Sequence, residues 1–168
     1  MYIGGVAVTA HGVARTTVDI DATVLAAAID PDRLVATGAV FGIVPRIEDA
    51  VGFAQRNQVL LLRHAPSSVP LDVSLACLPF EEEAIRSAVE VDYAGVRIRV
   101  PRPEDLVIYK VVASRPRDID DAEKLLLLHG PSLDAARMRR VVGQFCDALE
   151  DRTRERTLAD LFVRTRVG

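Results

Sequence analysis

The chain predicts an α/β fold of the α+β kind: a small mixed β-sheet with flanking helices, followed by a C-terminal helical portion. Three observations predict it. Segments with period-two alternation at residues 16–24 and 70–77, and the short continuous apolar run at 59–63, read as strands. From Pro103 onward only helical spacing remains, broken at Arg115-Pro116 and Gly130-Pro131. At 168 residues, with 49% hydrophobic and 27% charged, the chain is long and apolar enough for a sizeable core without disulfides. We divide it into a core at residues 1–101 and a helical portion packed on it at 102–168.

The elements follow in order. Residues 2–8 form an apolar run broken by Gly4-Gly5, which fits a strand turning into a short helix that ends near His11-Gly12. The second strand is expected over 16–24, with Val18, Ile20, Ala22 and Val24 facing a core and Thr17, Asp19, Asp21 and Thr23 facing the other side. Residues 25–58 read as interrupted helix, starting at Asp30-Pro31-Asp32 and again over 47–56. Two strands follow, 59–63 and 70–77, around the loop Ala65-Pro66-Ser67-Ser68. A helix over 79–87 opens with Glu81, Glu82 and Glu83, where negative charge suits a helix N-terminus. A hairpin is expected over 89–93 and 96–100, turning at Ala94-Gly95. Helices over 103–114, 118–128, 132–149 and 152–164 complete the chain.

Composition excludes several classes. A net charge of −3 gives no global basic signature of nucleic-acid binding; the arginines at 137, 139, 140, 152, 154 and 156 are compatible with local RNA contact and equally with solvated helix faces. Cys77 and Cys146 lack the spacing of a zinc site and suit a reducing compartment. No apolar run approaches the roughly 18–20 residues of a membrane span. The start lacks the pattern of a leader, so a cytoplasmic protein with no membrane association is expected.

The residues that carry chemistry are acids. Asp19 and Asp21 would project together from one strand face, and Asp72 would join them if the 70–77 strand pairs alongside, because Leu71, Val73 and Leu75 take the inward face. Such carboxylates suit Mg²⁺, or Mn²⁺, held near a triphosphate. Gly4-Gly5 would let backbone approach a phosphate, and Arg15 and Thr17 could contact phosphate oxygens. His11 reads equally well as a hydrogen-bonded residue closing a short helix. Lys110 interrupts a segment apolar on nearly every side, so it must be paired or reach for solvent. Of Asp118, Asp120 and Asp121, at least one is expected to cap the helix that follows Arg115-Pro116 or to complement its dipole.

With these residues in view, the chain resembles the minimal nucleotidyltransferases of the DNA polymerase β-type superfamily. More narrowly, Gly4-Gly5 with His11-Gly12, Arg15, Thr17 and Asp19-Ile20-Asp21 resembles the AbiEii/AbiGii-type toxins and related nucleotidyltransferases. Pro103-Glu104-Asp105-Leu106 with Lys110, Ala113, Arg115, Asp118 and Asp121 resembles that group's downstream motif. The resemblance covers roughly residues 2–128 and implies a small nucleotidyltransferase core. It implies Mg²⁺-dependent transfer of a nucleotide from a nucleoside triphosphate to an acceptor hydroxyl, tRNA for some members, beside a cognate antitoxin. By position it implies Gly4 and Gly5 as the phosphate turn, Asp19 and Asp21 as the metal pair with Asp72 as third acid, and Lys110 with Asp118 or Asp121 as downstream functional residues. Arg15, Thr17, Lys110 and Arg115 stand as nucleotide contacts. The group usually carries a helix before the first strand. Here either the start is internal to a longer product or another element covers that sheet face, and an uncovered face would favour a homodimer. The alternative function is a non-catalytic nucleotide-binding or antitoxin-like module of the same fold.

Overall fold

The computed structural model describes residues 1–167. Strand β1 (Tyr2–Ile3) runs directly into helix α1 (Gly4–Ala10), and β2 (Ile20–Leu25) follows. Then come α2 (Pro31–Val40), β3 (Ile43–Pro45), α3 (Ala50–Asn57), β4 (Val59–His64), β5 (Pro70–Ala76) and α4 (Pro79–Arg86). The hairpin β6 (Val89–Tyr93) and β7 (Val96–Val100) precedes four helices: α5 (Pro103–Ala113), α6 (Pro116–His129), α7 (Ala135–Leu149) and α8 (Thr153–Thr165). The fold is the expected mixed α+β one. Its main sheet has the order β1-β2-β5-β4-β3, with β2 and β5 parallel and the other pairs antiparallel.

Two cores hold it. Leu60, Leu62, Val73 and Leu75 line one sheet face under Ala50 and Ala54 of α3, with Leu34 and Val35 of α2 packed against them. That apolar face is therefore covered from within the chain. The larger core joins α1 (Val6, Val8) to α5 (Leu106, Ile108, Val111), α6 (Leu125, Leu126), α7 (Met138, Val142) and α8 (Leu158, Leu161). Leu106, Ile108, Leu125 and Leu161 are fully buried, and truncating any one of them costs about 2–5 kcal/mol. Because α1 belongs to this core, the segment carrying the first acids is anchored to the C-terminal helices.

Local chemistry sets the boundaries. Asp30 and Asp49 accept hydrogen bonds from Asp32 and Gly52 N–H and so cap α2 and α3, and Asp134 does the same for α7 through Arg137 N–H. The helix expected over 47–56 thus begins at Ala50, and the one expected from 132 begins at Ala135. The β6–β7 turn has Ala94 and Gly95 at φ 52° and 81°, the two left-handed residues that a tight hairpin of matching twist needs. No aspartate caps α6 with its side chain, Asp118 and Asp120 being engaged by cations instead, but Asp118 lies in the first turn, where its charge complements the helix dipole as expected.

The main departure concerns the second strand. It begins at Ile20, so residues 16–19 lie outside the sheet, and Val18, expected to face a core, is 76% exposed. Thr17 Oγ1 donates to Asp19 Oδ1 at 2.9 Å and to the Asp19 carbonyl at 3.2 Å, and Arg117 binds the Thr16 carbonyl. Such side-chain bonds compete with a ladder. The ladder itself starts at Ile20 opposite Leu71, one residue after Pro70, which has no N–H to offer. Strand β3 was not anticipated: three residues ending in proline at a sheet edge leave no periodic signal. No helix among the described residues is long and apolar enough to cross a membrane.

Candidate functional site

Asp21 and Asp72 stand side by side. They are direct partners in the parallel β2–β5 register, so their side chains leave the same face of the sheet on neighbouring strands roughly 4.8 Å apart. Leu71, Val73 and Leu75 alternate with Asp72 and lie on or in the smaller core, which fixes that face as the opposite one. Asp19 reaches the pair from the bend before β2. Its carboxylate is held by the Thr17 hydroxyl, and it acts electrostatically on both strand acids.

The glycine pair makes this crowding possible. Gly4 has φ +59°, and a Cβ on it would meet Asp21 Oδ2 at 1.9 Å. A Cβ on Gly5 would meet Thr17 Oγ1 at 2.5 Å and Arg15 Cζ at 3.1 Å. The space above each glycine is filled by the acid-bearing segment itself, so the missing side chains let residues 15–21 close onto α1.

Behind the acids runs a buried ionic chain. Lys110 Nζ donates to Asp118 Oδ1 at 2.9 Å and lies 3.0 Å from Asp121 Oδ2. Arg15 closes one end on Asp121 at 2.5 Å, and Arg115 closes the other on Asp118 through bonds of 2.5 and 3.4 Å. The Lys110, Asp118 and Asp121 side chains are 6, 4 and 3% exposed, whereas Arg115 is 75% exposed. Lys110 is thus paired within the protein rather than extended to solvent. Three cations share two carboxylates, leaving one net positive charge, in a medium where charges act more strongly than in water.

That charge is felt at the strand acids. Burial pushes the Asp21 carboxyl above the ordinary carboxylate range, Asp19 and Asp72 push it further by like-charge repulsion, and Lys110 and Arg115 oppose them. Asp72 is also raised, by burial first and by Asp19, while Arg46 pulls it down. Burial acts upward on Asp118, but hydrogen bonds from Arg115 and Lys110 outweigh it and hold the carboxyl below its usual range. Asp118 on one side and Asp21 and Asp72 on the other are therefore shifted in opposite directions, the first by cations bonded to it and the other two by burial above all.

Arg46 was not singled out by the sequence. Its Nη2 donates to Asp72 Oδ1 at 2.6 Å across the edge of the sheet. The other expected residues fall into two groups. Asp19, Asp21, Asp72, Thr17, Gly4 and Gly5 gather at the strand face, while Lys110, Asp118, Asp121, Arg15 and Arg115 form the ionic chain beside it. His11 is apart from both: its Nε2 lies 2.7 Å from the Pro101 carbonyl oxygen and its ring stands edge-on to His129 at 5.7 Å. A cavity of about 570 Å³ lined by Ala27, Ile29, Arg33 and Thr37 opens beyond the other end of β2, away from the acids.

Among the described residues, no three acids, histidines or cysteines converge closely enough to hold a metal ion as they stand. The donor set still fits Mg²⁺, which takes hard oxygen ligands, keeps several waters, and is typically held by one or two carboxylates together with substrate phosphates. Asp21 and Asp72 supply such a pair.

The mixed-sheet α+β core is consistent with a small nucleotidyltransferase fold. The chain belongs to the family described as nucleotidyltransferase of unknown function (DUF6036), whose model matches residues 1–164. No curated protein matches it.

Proposed function

We propose that the protein transfers a nucleoside monophosphate from a nucleoside triphosphate to an acceptor hydroxyl, with Mg²⁺ or Mn²⁺ held by Asp21 and Asp72 and assisted by Asp19. The observation that carries this reading is the in-register pairing of Asp21 with Asp72, two crowded carboxylates of which Asp21 makes no ion pair among the described residues and feels Lys110 and Arg115 only at a distance. Uncompensated like charge at that spacing is unfavourable in the free protein and becomes favourable when a divalent ion is bound.

Each part of the chain has a task in this reading. A bound divalent ion would neutralise triphosphate charge and polarise its phosphoryl oxygens. Asp72 would accept the proton of the acceptor hydroxyl. Arg115, exposed at its tip and anchored on Asp118, supplies a preorganised guanidinium for phosphate oxygens. Lys110 is a positioning residue: it fixes Asp118 and Asp121, and through them Arg115 and Arg15. Gly4 and Gly5 serve by admitting Asp21 and Thr17 rather than by forming a helix-end phosphate cradle.

For the acceptor, the resemblance to the AbiEii/AbiGii-type toxins supports an RNA hydroxyl, in a toxin neutralised by a partner antitoxin in a reducing cytoplasm. The arginines of α8 add little to that choice, since Arg152, Arg154 and Arg164 are paired with acids. The Arg46–Asp72 pair favours a second reading, a nucleotide-binding module without turnover, because it closes one oxygen of Asp72.

The test incubates purified protein with total RNA, Mg²⁺ and each α-labelled nucleoside triphosphate in turn, alongside Asp21→Asn and a chelator control. Label in RNA that requires both Asp21 and the divalent ion supports transfer. Triphosphate binding with no label in RNA, protein or small molecules assigns the non-catalytic module.

A further inference from the structure

We infer that Arg46 is a triphosphate-binding residue of this site, held on Asp72 in the free protein and transferred to phosphate oxygens when a divalent ion takes that carboxylate. The inference rests on the nucleotidyl-transfer reading above. It begins with register. Pro45 of β3 pairs with Leu62, and Arg46 N–H donates to the Leu61 carbonyl at 3.0 Å, continuing the pairing by one residue. Leu61 is in turn the partner of Asp72, and Asp72 of Asp21. Arg46, Leu61, Asp72 and Asp21 therefore form one row across the sheet, and the guanidinium bridges over Leu61 to reach the carboxylate.

The other cations near the acids are committed. Lys110 serves two carboxylates and Arg15 is largely enclosed against Asp121, while Arg115 can offer its exposed tip to phosphate but stays anchored on Asp118 by two bonds and so does not change partner. Arg46 makes a single side-chain hydrogen bond among the described residues, to one oxygen of a carboxylate 35% exposed, from a side chain 34% exposed. Half-solvated pairs of this kind are weak and exchange easily. A divalent ion on Asp72 removes the attraction and repels the guanidinium. The triphosphate then offers what the fork geometry suits best, paired anionic oxygens. Asp72 is thus a carboxylate shared in time between Arg46 and the metal, and Arg46 links metal entry to phosphate grip.

The experiment uses Mn²⁺ alone and then tripolyphosphate with saturating Mn²⁺, so that no base preference enters, on the full chain and its Arg46→Ala, Arg46→Lys and Asp21→Asn variants. Titration calorimetry and Mn²⁺ magnetic resonance read the affinities, and thermal unfolding checks the fold. For Arg46→Ala we expect Mn²⁺ to bind up to about fivefold more tightly, because its competitor at Asp72 is gone. Tripolyphosphate should bind about tenfold more weakly, with Arg46→Lys between the wild type and alanine because it keeps charge without the fork. Wild-type binding of tripolyphosphate that is unchanged in Arg46→Ala overturns this role and leaves the transfer reading intact. Equal loss of Mn²⁺ and tripolyphosphate affinity overturns it too, since no exchange then occurs. Binding that persists in Asp21→Asn, or no Mn²⁺-dependent binding by the wild type, refutes the underlying reading and this inference with it.

Discussion

Gly4→Ala tests whether the glycine pair exists to seat Asp21. The backbone there is left-handed at φ +59°, so any L side chain is strained by roughly 1–2 kcal/mol. The new methyl would also lie 1.9 Å from Asp21 Oδ2 and 2.7 Å from its Cγ. Rotation of the Asp21 side chain can move that oxygen by the roughly 1.5 Å that ordinary contact requires, but Asp21 Cβ also lies 2.9 Å from the new methyl and can retreat only with its backbone. Stability should therefore fall by at least the backbone strain, a Tm decrease of roughly 2–8 °C for a chain of this size, and further by the cost of shifting β2. Function should suffer more, because misplacing a reacting group by about 1 Å costs on the order of 100-fold. Gly95→Ala is the matched control: its φ is +81° and nothing lies within 4 Å of the added methyl. Gly95→Ala should lose the strain alone and Gly4→Ala more, and only Gly4→Ala should lose nucleotide transfer and Mn²⁺ binding. Equal activity in the two would show that Asp21 has no required position and would refute the assignment.

Lys110→Met should be costly to the fold. It leaves Asp118 and Asp121 buried with one arginine each, and breaking a buried pair costs about 3 kcal/mol at the low end of its range, measurable as a reduced urea midpoint. Asp21→Asn should do the opposite, abolishing transfer while leaving the unfolding midpoint equal or slightly higher, since it relieves repulsion from Asp19 and Asp72; a clear loss of stability would make Asp21 a structural residue. His11 predicts a pH dependence: burial holds its pKa below the ordinary 6.5, with His129 adding to the effect, although its Pro101 bond and Glu104 oppose it. Its contribution is fully present above pH 6.5 and is lost as pH falls toward the folded-state pKa, because the unfolded chain then binds the proton more readily. The stability difference between the wild type and His11→Gln, measured by urea unfolding at pH 7.5 and pH 5.5, should accordingly shrink or reverse at the lower pH.

Much of the fold was legible because its signals are local. The hairpin at 89–100 followed from alternation around Ala94-Gly95, and the helix at 31–40 from Asp30-Pro31. The chain was misread where a residue's conformation depends on a distant partner. Alternation placed Asp19 on the Asp21 face, but the ladder stops at Ile20 because of Pro70, fifty residues away, and because β1 supplies only two residues. Residues 43–45 form a strand only because β4 is there to pair with them, and a three-residue edge leaves no period to read.

The site divides along the same line. Acids and glycines were recognisable by type and spacing, and the Asp21–Asp72 register realises the gathering that alternation implied for those two. Which cation meets which acid was hidden, because ion pairs here span large separations: Arg15 to Asp121, and Arg46 to Asp72. The division has a physical meaning. Cations that sit in the core must be paired, so Lys110 is obliged to hold Asp118 and Asp121 and has little freedom to act elsewhere. A cation at the sheet edge is under no such obligation. Arg46 can leave Asp72 at small cost because water stands ready to solvate both. The rigid half of the site therefore fixes geometry, and the weakly held half is where binding energy from a charged ligand can be converted into a change of partners.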